Sequence, residues 1–140
     1  MSADFIDSNV FVYLFDETDP AKRQTAEELI RVGLETGAAA ISFQVIQETL
    51  NVITRKFETP ANLDEARRLM DEVLVPLWSV MPSQGLYHRA LDIHVRYRFS
   101  FYDALIIASA LAAGCTRLYS EDLQHGQQIE GLTIANPFTA

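Results

Sequence analysis

A single cysteine, Cys115, occurs in 140 residues. One thiol cannot close an internal bridge, so a disulfide framework is excluded and a reduced, cytoplasmic setting is expected. Positive charge is scarce, with 11 Lys and Arg against 19 Asp and Glu and a net charge of −8. Wrapping a long stretch of nucleic acid requires Lys and Arg to neutralise phosphates. Broad nonspecific wrapping is therefore excluded, whereas chemistry at one phosphate at a time is not. No run approaches the ~20 apolar residues of a membrane-spanning helix. The opening Met1-Ser2-Ala3-Asp4 has neither a basic nor a long apolar region, so no secretory leader is expected. There is no Gly-rich phosphate loop, which argues against a nucleotide-driven switch. Linkers, repeats and low-complexity tracts are also missing, so residues 1–140 are expected to form one domain.

Apolar residues make up 49% of the chain, enough to bury a core without a bridge or structural metal. Short apolar runs alternate with longer segments of helical period, which predicts a parallel sheet flanked by helices in a three-layer α/β/α sandwich. Strands are predicted at Asp4–Asp7, Ala38–Ile41, Leu77–Met81, Thr116–Ser120 and Leu132–Ala135. Asp19-Pro20 reads as a helix start, and Gly37 as the left-handed stop of that helix. Ser42 caps the next helix, whose apolar stripe is Phe43, Ile46, Leu50, Ile53 and Phe57. A further helix is predicted from Thr59-Pro60 to a break at Pro76, another over Gln84–Tyr97, and the most apolar one over Phe101–Ala113.

Ligands of parallel α/β sheets collect at the carboxyl ends of the strands. Asp7 ends the first strand, Asp122 lies just past the fourth, and Asp103 sits in the first turn of the most apolar helix. Glu48 lies about two turns into its helix, beside the apolar stripe. Carboxylates held together repel one another, and a hard divalent cation such as Mg²⁺ or Mn²⁺ relieves that repulsion. Such an ion polarises a phosphate, acidifies a water and stabilises a leaving oxygen. Each acid also has a local reading without metal. Asp7-Ser8-Asn9 fits an Asx turn, Glu48 a solvated helix face, Ser100-x-x-Asp103 a capping box, and Asp122 a cap after Ser120.

Four stretches carry a family resemblance: Phe5-Ile6-Asp7-Ser8-Asn9-Val10; Ser42 with Glu48 six positions on; Ser100-Phe101-Tyr102-Asp103-Ala104-Leu105-Ile106; and Leu118-Tyr119-Ser120-Glu121-Asp122, with its hydroxyl-x-Asp pattern. In this order and spacing they resemble the PIN-domain ribonucleases, and within them the VapC-type toxins of toxin–antitoxin pairs. The resemblance implies a Rossmann-like sandwich in which Asp7, Glu48, Asp103 and Asp122 hold one or two Mg²⁺ or Mn²⁺ ions, with Asn9 and Ser120 as supporting polar residues. It implies endonucleolytic hydrolysis of RNA by a metal-activated water, homodimers, and a small antitoxin that blocks the site. The sequence leaves open whether Glu121 shares the role of Asp122.

The histidines His88, His94 and His125 lack metal-pair spacing, and Cys115 has no matching base. Arg55, Lys56, Arg96 and Arg98 lie near the predicted site and read either as phosphate contacts or as ordinary surface charge. A competing reading from another class is a PIN-like protein-binding module with little or no catalysis. An aspartyl-phosphate enzyme usually offers Asp-x-Asp after its first strand, where this chain has Asn9, and a receiver domain would show paired acids there.

Overall fold

A computed structural model describes residues 3–55 and 60–139. Lys56, Phe57 and Thr59, named above, lie outside the described residues. The elements run β1 (Ala3–Ile6), α1 (Ser8–Val12), a 3-10 turn (Tyr13–Phe15), α2 (Pro20–Thr36), β2 (Ala39–Ser42), α3 (Phe43–Ile53) and α4 (Leu63–Leu69). A π turn (Met70–Leu74) then leads into α5 (Val75–Leu77), β3 (Trp78–Val80), α6 (Gln84–Tyr97), α7 (Phe101–Ala112), β4 (Cys115–Tyr119), β5 (Gln128–Ile129) and β6 (Leu132–Ala135). The sheet order is β3-β2-β1-β4-β6-β5, parallel throughout except for β5, which pairs antiparallel with β6.

Successive strand residues face opposite sides of the sheet. Ile6 and Ala39 meet α2, which crosses them at Gly33. The other face is covered by α7, which packs against β2 and β4. Phe5, Leu118 and Ile134 are fully buried at the centre. The expected mainly parallel sheet with flanking helices is thus present.

Local chemistry explains most helix ends. Asp19 Oδ1 accepts from Lys22 N (3.1 Å), Pro20 opens α2, and Gly37 closes it at φ +68°. Ser42, Ser83 and Ser100 each cap the helix that follows through the hydroxyl.

Three expectations are corrected. The helix expected from Thr59-Pro60 begins at Leu63, because Asn62 and Glu65 form a reciprocal capping box there. Pro76 does not break it: helical structure continues through Leu77, and the π turn just before the proline widens the backbone, leaving room for its ring. The strand at Leu132–Ala135 is the sixth, because the short β5 precedes it.

The approach of α2 to the sheet is close enough to test. A Cβ on Gly33 would lie 2.8 Å from Ala39 Cβ. On a free helix, Ala in place of Gly gains up to about 1 kcal/mol. Here the overlap reverses the sign, and Gly33→Ala is expected to cost about 1–3 kcal/mol, read as a lower denaturant midpoint. An unchanged midpoint would mean that α2 rides higher on β2.

Candidate active site

The strand order turns outward from β1: β2 lies on one side and β4 on the other. That crevice is the topological switch point, where the loops leaving two neighbouring strands diverge. Asp7 leaves β1 and Ser120 leaves β4 at this point, with Asp7 N bonded to Tyr119 O (2.9 Å). Asp7 is only 7% exposed, and both of its carboxylate oxygens accept hydrogen bonds. Oδ1 accepts from Ser8 N (2.7 Å) and Oδ2 from Ser120 Oγ (2.8 Å). Ser120 Oγ also accepts from Asp122 N (3.2 Å), and Asn9 Nδ2 donates to Asp122 Oδ2 (3.2 Å). Asp7, Asn9, Ser120 and Asp122 therefore form one hydrogen-bonded group, although 113 positions separate the partners that join its two halves.

Burial pushes the Asp7 carboxyl up to about 6; the bonds from Ser120 and Ser8 pull it down, and the charges of Asp122 and Asp103 raise it. Glu48 is half-buried on α3, which packs against α1. Burial, and then the charge of Asp7, push its carboxyl up to about 7, with Asp103 adding to the rise and the Gln44 amide and Ser8 hydroxyl opposing it. Glu48, Asp103 and Asp122 thus each lie within electrostatic reach of Asp7.

The local readings are partly right as well. Asp7 does cap α1 through Ser8 N. Ser100 Oγ accepts from Asp103 N (3.2 Å), but the reciprocal half of a capping box is not formed at α7, and the Asp103 carboxylate has no hydrogen-bond partner among the described residues. Glu48 is not on a fully solvated face.

Several neighbours escaped sequence reasoning. Gln44 is 3% exposed and donates to the Tyr102 carbonyl (3.1 Å), tying the helix of Glu48 to the turn that carries Asp103. Its four-residue spacing from Glu48 is a signal in the sequence; its partner is not. Gln44 Oε1 and Thr49 Oγ1 are buried without partners among the described residues. Glu121 is committed elsewhere: its two carboxylate oxygens are taken by Tyr13 and Lys22.

The donors are all oxygens, the preference of Mg²⁺ and Mn²⁺. Among the described residues, no three Asp, Glu, His or Cys side chains are gathered closely enough to cage an ion. Mg²⁺ is commonly bound by one or two carboxylates with retained waters, and ionised carboxylates spread apart without a cation. The residues therefore fit an open hard-cation site and do not fit a closed structural one.

The residues set aside earlier have other roles. His125 Nδ1 accepts from Asn136 N (2.9 Å), and His94 Nδ1 meets the Phe99 carbonyl. Cys115 is buried, and burial pushes its thiol up to about 11. Trp78 is partly exposed at the sheet edge, its indole N–H bonded to Val80 O (3.0 Å). Arg55, Arg96 and Arg98 are exposed and form no ion pair among the described residues. A groove of about 1110 Å³ runs between α2 and the sheet, lined by Asp4, Glu28, Arg31, Arg117 and Tyr119 among others, and includes none of the four acids. An open carboxylate centre is marked by charge, not volume. No described helix is long and apolar enough to cross a membrane.

Comparison with known proteins agrees with this fold. A search of curated proteins finds no match. Among solved structures, the VapC20 toxin of Mycobacterium tuberculosis, described as cleaving the sarcin-ricin loop, is similar at 22% identity and a TM-score of 0.61, over 84% of this chain and 88% of that one. A toxin–antitoxin complex from Klebsiella pneumoniae is similar at 19% identity and 0.69, over 99% and 100%. VapBC2 of Rickettsia felis, bound to a promoter DNA fragment, is similar at 14% identity and 0.66, over 96% and 98%. Residues 5–127 match the PIN domain family. The chain belongs to the PIN domain family and has the fold of its VapC-type toxins.

Proposed function

We propose that residues 1–140 form a single PIN-type nuclease domain that cleaves RNA endonucleolytically with Mg²⁺ or Mn²⁺, as the cytoplasmic toxin of a toxin–antitoxin pair. In this reading Asp7, Glu48, Asp103 and Asp122 hold the metal, Asn9 and Ser120 support them, and the protein works as a homodimer that an antitoxin blocks. The observation that carries it is Asp7: a carboxylate at the switch point, held through both oxygens and pushed up chiefly by burial, with the charges of Asp122 and Asp103 adding to the rise.

The bound cation would supply Lewis acidity and charge neutralisation at the phosphate. The protein's residues have distinct tasks. Ser8 and Ser120 fix the Asp7 carboxylate, whose Oδ2, bonded once, keeps a second lone pair for a ligand. Asn9 aims Asp122. Gln44 sets the spacing between the elements carrying Glu48 and Asp103. The exposed guanidinium groups of Arg55, Arg96 and Arg98 can meet phosphates of the RNA backbone despite the net negative charge.

Purified protein is expected to cut RNA internally with Mg²⁺ or Mn²⁺ and to stop when the metal is chelated. Its production without a partner is expected to arrest growth. Cleavage that survives chelation would remove the metal from the mechanism, and harmless accumulation of folded wild-type protein would remove the toxin role.

A further inference from the structure

Glu121 stands between two residues of the acidic centre, Ser120 and Asp122. Turned inward, its carboxylate would add a fifth negative charge to a group that already repels itself. It is turned away and held there. Tyr13 Oη donates to Glu121 Oε1 (2.6 Å), Lys22 Nζ contacts Oε2 (2.6 Å), and Lys22 Nζ also donates to Tyr13 Oη (3.1 Å). The three groups close a triangle in which both carboxylate oxygens are taken.

The triangle is built into the fold. The Tyr13 ring packs edge-on against Phe138, with centroids 4.8 Å apart. The Lys22 ammonium lies 5.0 Å from the Tyr13 centroid and 5.7 Å from that of Phe138. Partial shelter follows: the Lys22 and Glu121 side chains keep 34% and 24% of their exposure. The turn after α1, the start of α2, the loop leaving β4 and the segment after β6 all meet here. Asp122, by contrast, is exposed, and among the described residues its carboxylate has one bond, from Asn9 Nδ2. Its direction therefore depends on the backbone it hangs from. That backbone is pinned at Asp122 N, which donates to Ser120 Oγ (3.2 Å), and at residue 121, by the triangle through the side chain and by a longer contact from Glu121 N to Asn9 Oδ1 (3.4 Å).

We propose that Lys22 and Tyr13 are positioning residues of the acidic centre: by holding Glu121 outward they aim Asp122 inward. This inference rests on the metal-nuclease reading above. Outer partners that orient a metal-binding carboxylate change metal affinity or activity by about 10–100-fold when lost.

The test uses the full chain with Lys22→Met, Lys22→Arg and Tyr13→Phe. Mn²⁺ binding is measured directly by electron paramagnetic resonance of the free ion, beside the Mn²⁺ dependence of RNA cleavage and thermal unfolding. Lys22→Met is expected to weaken Mn²⁺ binding about tenfold and to move the half-maximal Mn²⁺ concentration for cleavage by the same factor. The rate at saturating Mn²⁺ should stay close to that of the wild type. Lys22→Arg should restore most of the affinity, and Tyr13→Phe should fall between. Lower thermal stability with unchanged Mn²⁺ binding would overturn the proposal and leave the triangle a staple. Tighter Mn²⁺ binding in Lys22→Met would overturn it differently, by making Glu121 a ligand that Lys22 holds back. Wild-type protein that neither binds Mn²⁺ nor cuts RNA would sink the nuclease reading, and this proposal with it; an active wild type beside an unaffected Lys22→Met sinks the proposal alone.

Discussion

Asp7→Asn is expected to lower metal-dependent RNA cleavage by roughly 10²–10³-fold, the usual cost of removing one charge-stabilising group from a reacting centre, while making the metal-free protein more stable above neutral pH. The substitution keeps the shape. An asparagine oxygen can still accept from Ser8 N, and its amide can donate to Ser120 Oγ once that hydroxyl turns. What disappears is the charge. Asp7 is 7% exposed and its carboxyl is pushed up to about 6 from 3.8, chiefly by burial. Ionising it inside the fold therefore costs roughly 3 kcal/mol relative to the unfolded chain, and the neutral amide of the variant avoids that cost. Cleavage assays and calorimetry at pH 8 in the presence of chelator measure the two effects on one variant. Full cleavage would remove Asp7 from the centre. Lost cleavage with a lowered melting temperature would trace the defect to folding.

Stability should also depend on pH and metal together. In the metal-free protein Asp7 and Glu48 have folded pKa values of about 6 and about 7, both above their unfolded values of 3.8 and 4.5. The folded state then binds more protons than the unfolded one between these limits, so stability is highest near pH 4 and falls as pH rises to about 7. Asp16 and Glu28 act in the opposite sense. Thr18 holds Asp16, and Arg31 holds Glu28, below the usual carboxylate range, so their contributions are lost only as pH falls further. A cation that binds the ionised centre should reverse the fall. Mn²⁺ at a hundredfold excess over its Kd is expected to add about 2.7 kcal/mol above pH 7 and little at pH 5. A melting temperature raised equally at both pH values would show that the ion binds elsewhere.

Much of this could be read from local residues, and the reasons are physical. Asp19-Pro20, Gly37 and Ser100 act within one helical turn, so their effect is written beside them in the chain. Asp7 and Asp103 belong to the same class, because a strand end or a helix start announces itself locally. Pro76 misled because its usual consequence, a break, is averted by the π turn just before it, which has no comparable sequence signature. β5 was missed because two residues show no periodicity. Glu48 owes its burial to α1 folding over α3, and Glu121 owes its direction to Lys22, 99 residues away. No window along the chain contains either relation.

The bond between Asp7 and Ser120 joins residues 113 positions apart. A ribosome delivers Asp7 well before Ser120, with β2, β3 and every described helix made in between. Until β4 slides in beside β1, the early acids have no counterpart across the crevice, and loop closure over such a span is among the last and slowest steps of folding. Under the toxin function proposed above, that order would act as a timer. A chain ending before Ser120 would lack the hydroxyl that fixes Asp7, and with it the assembled acidic centre.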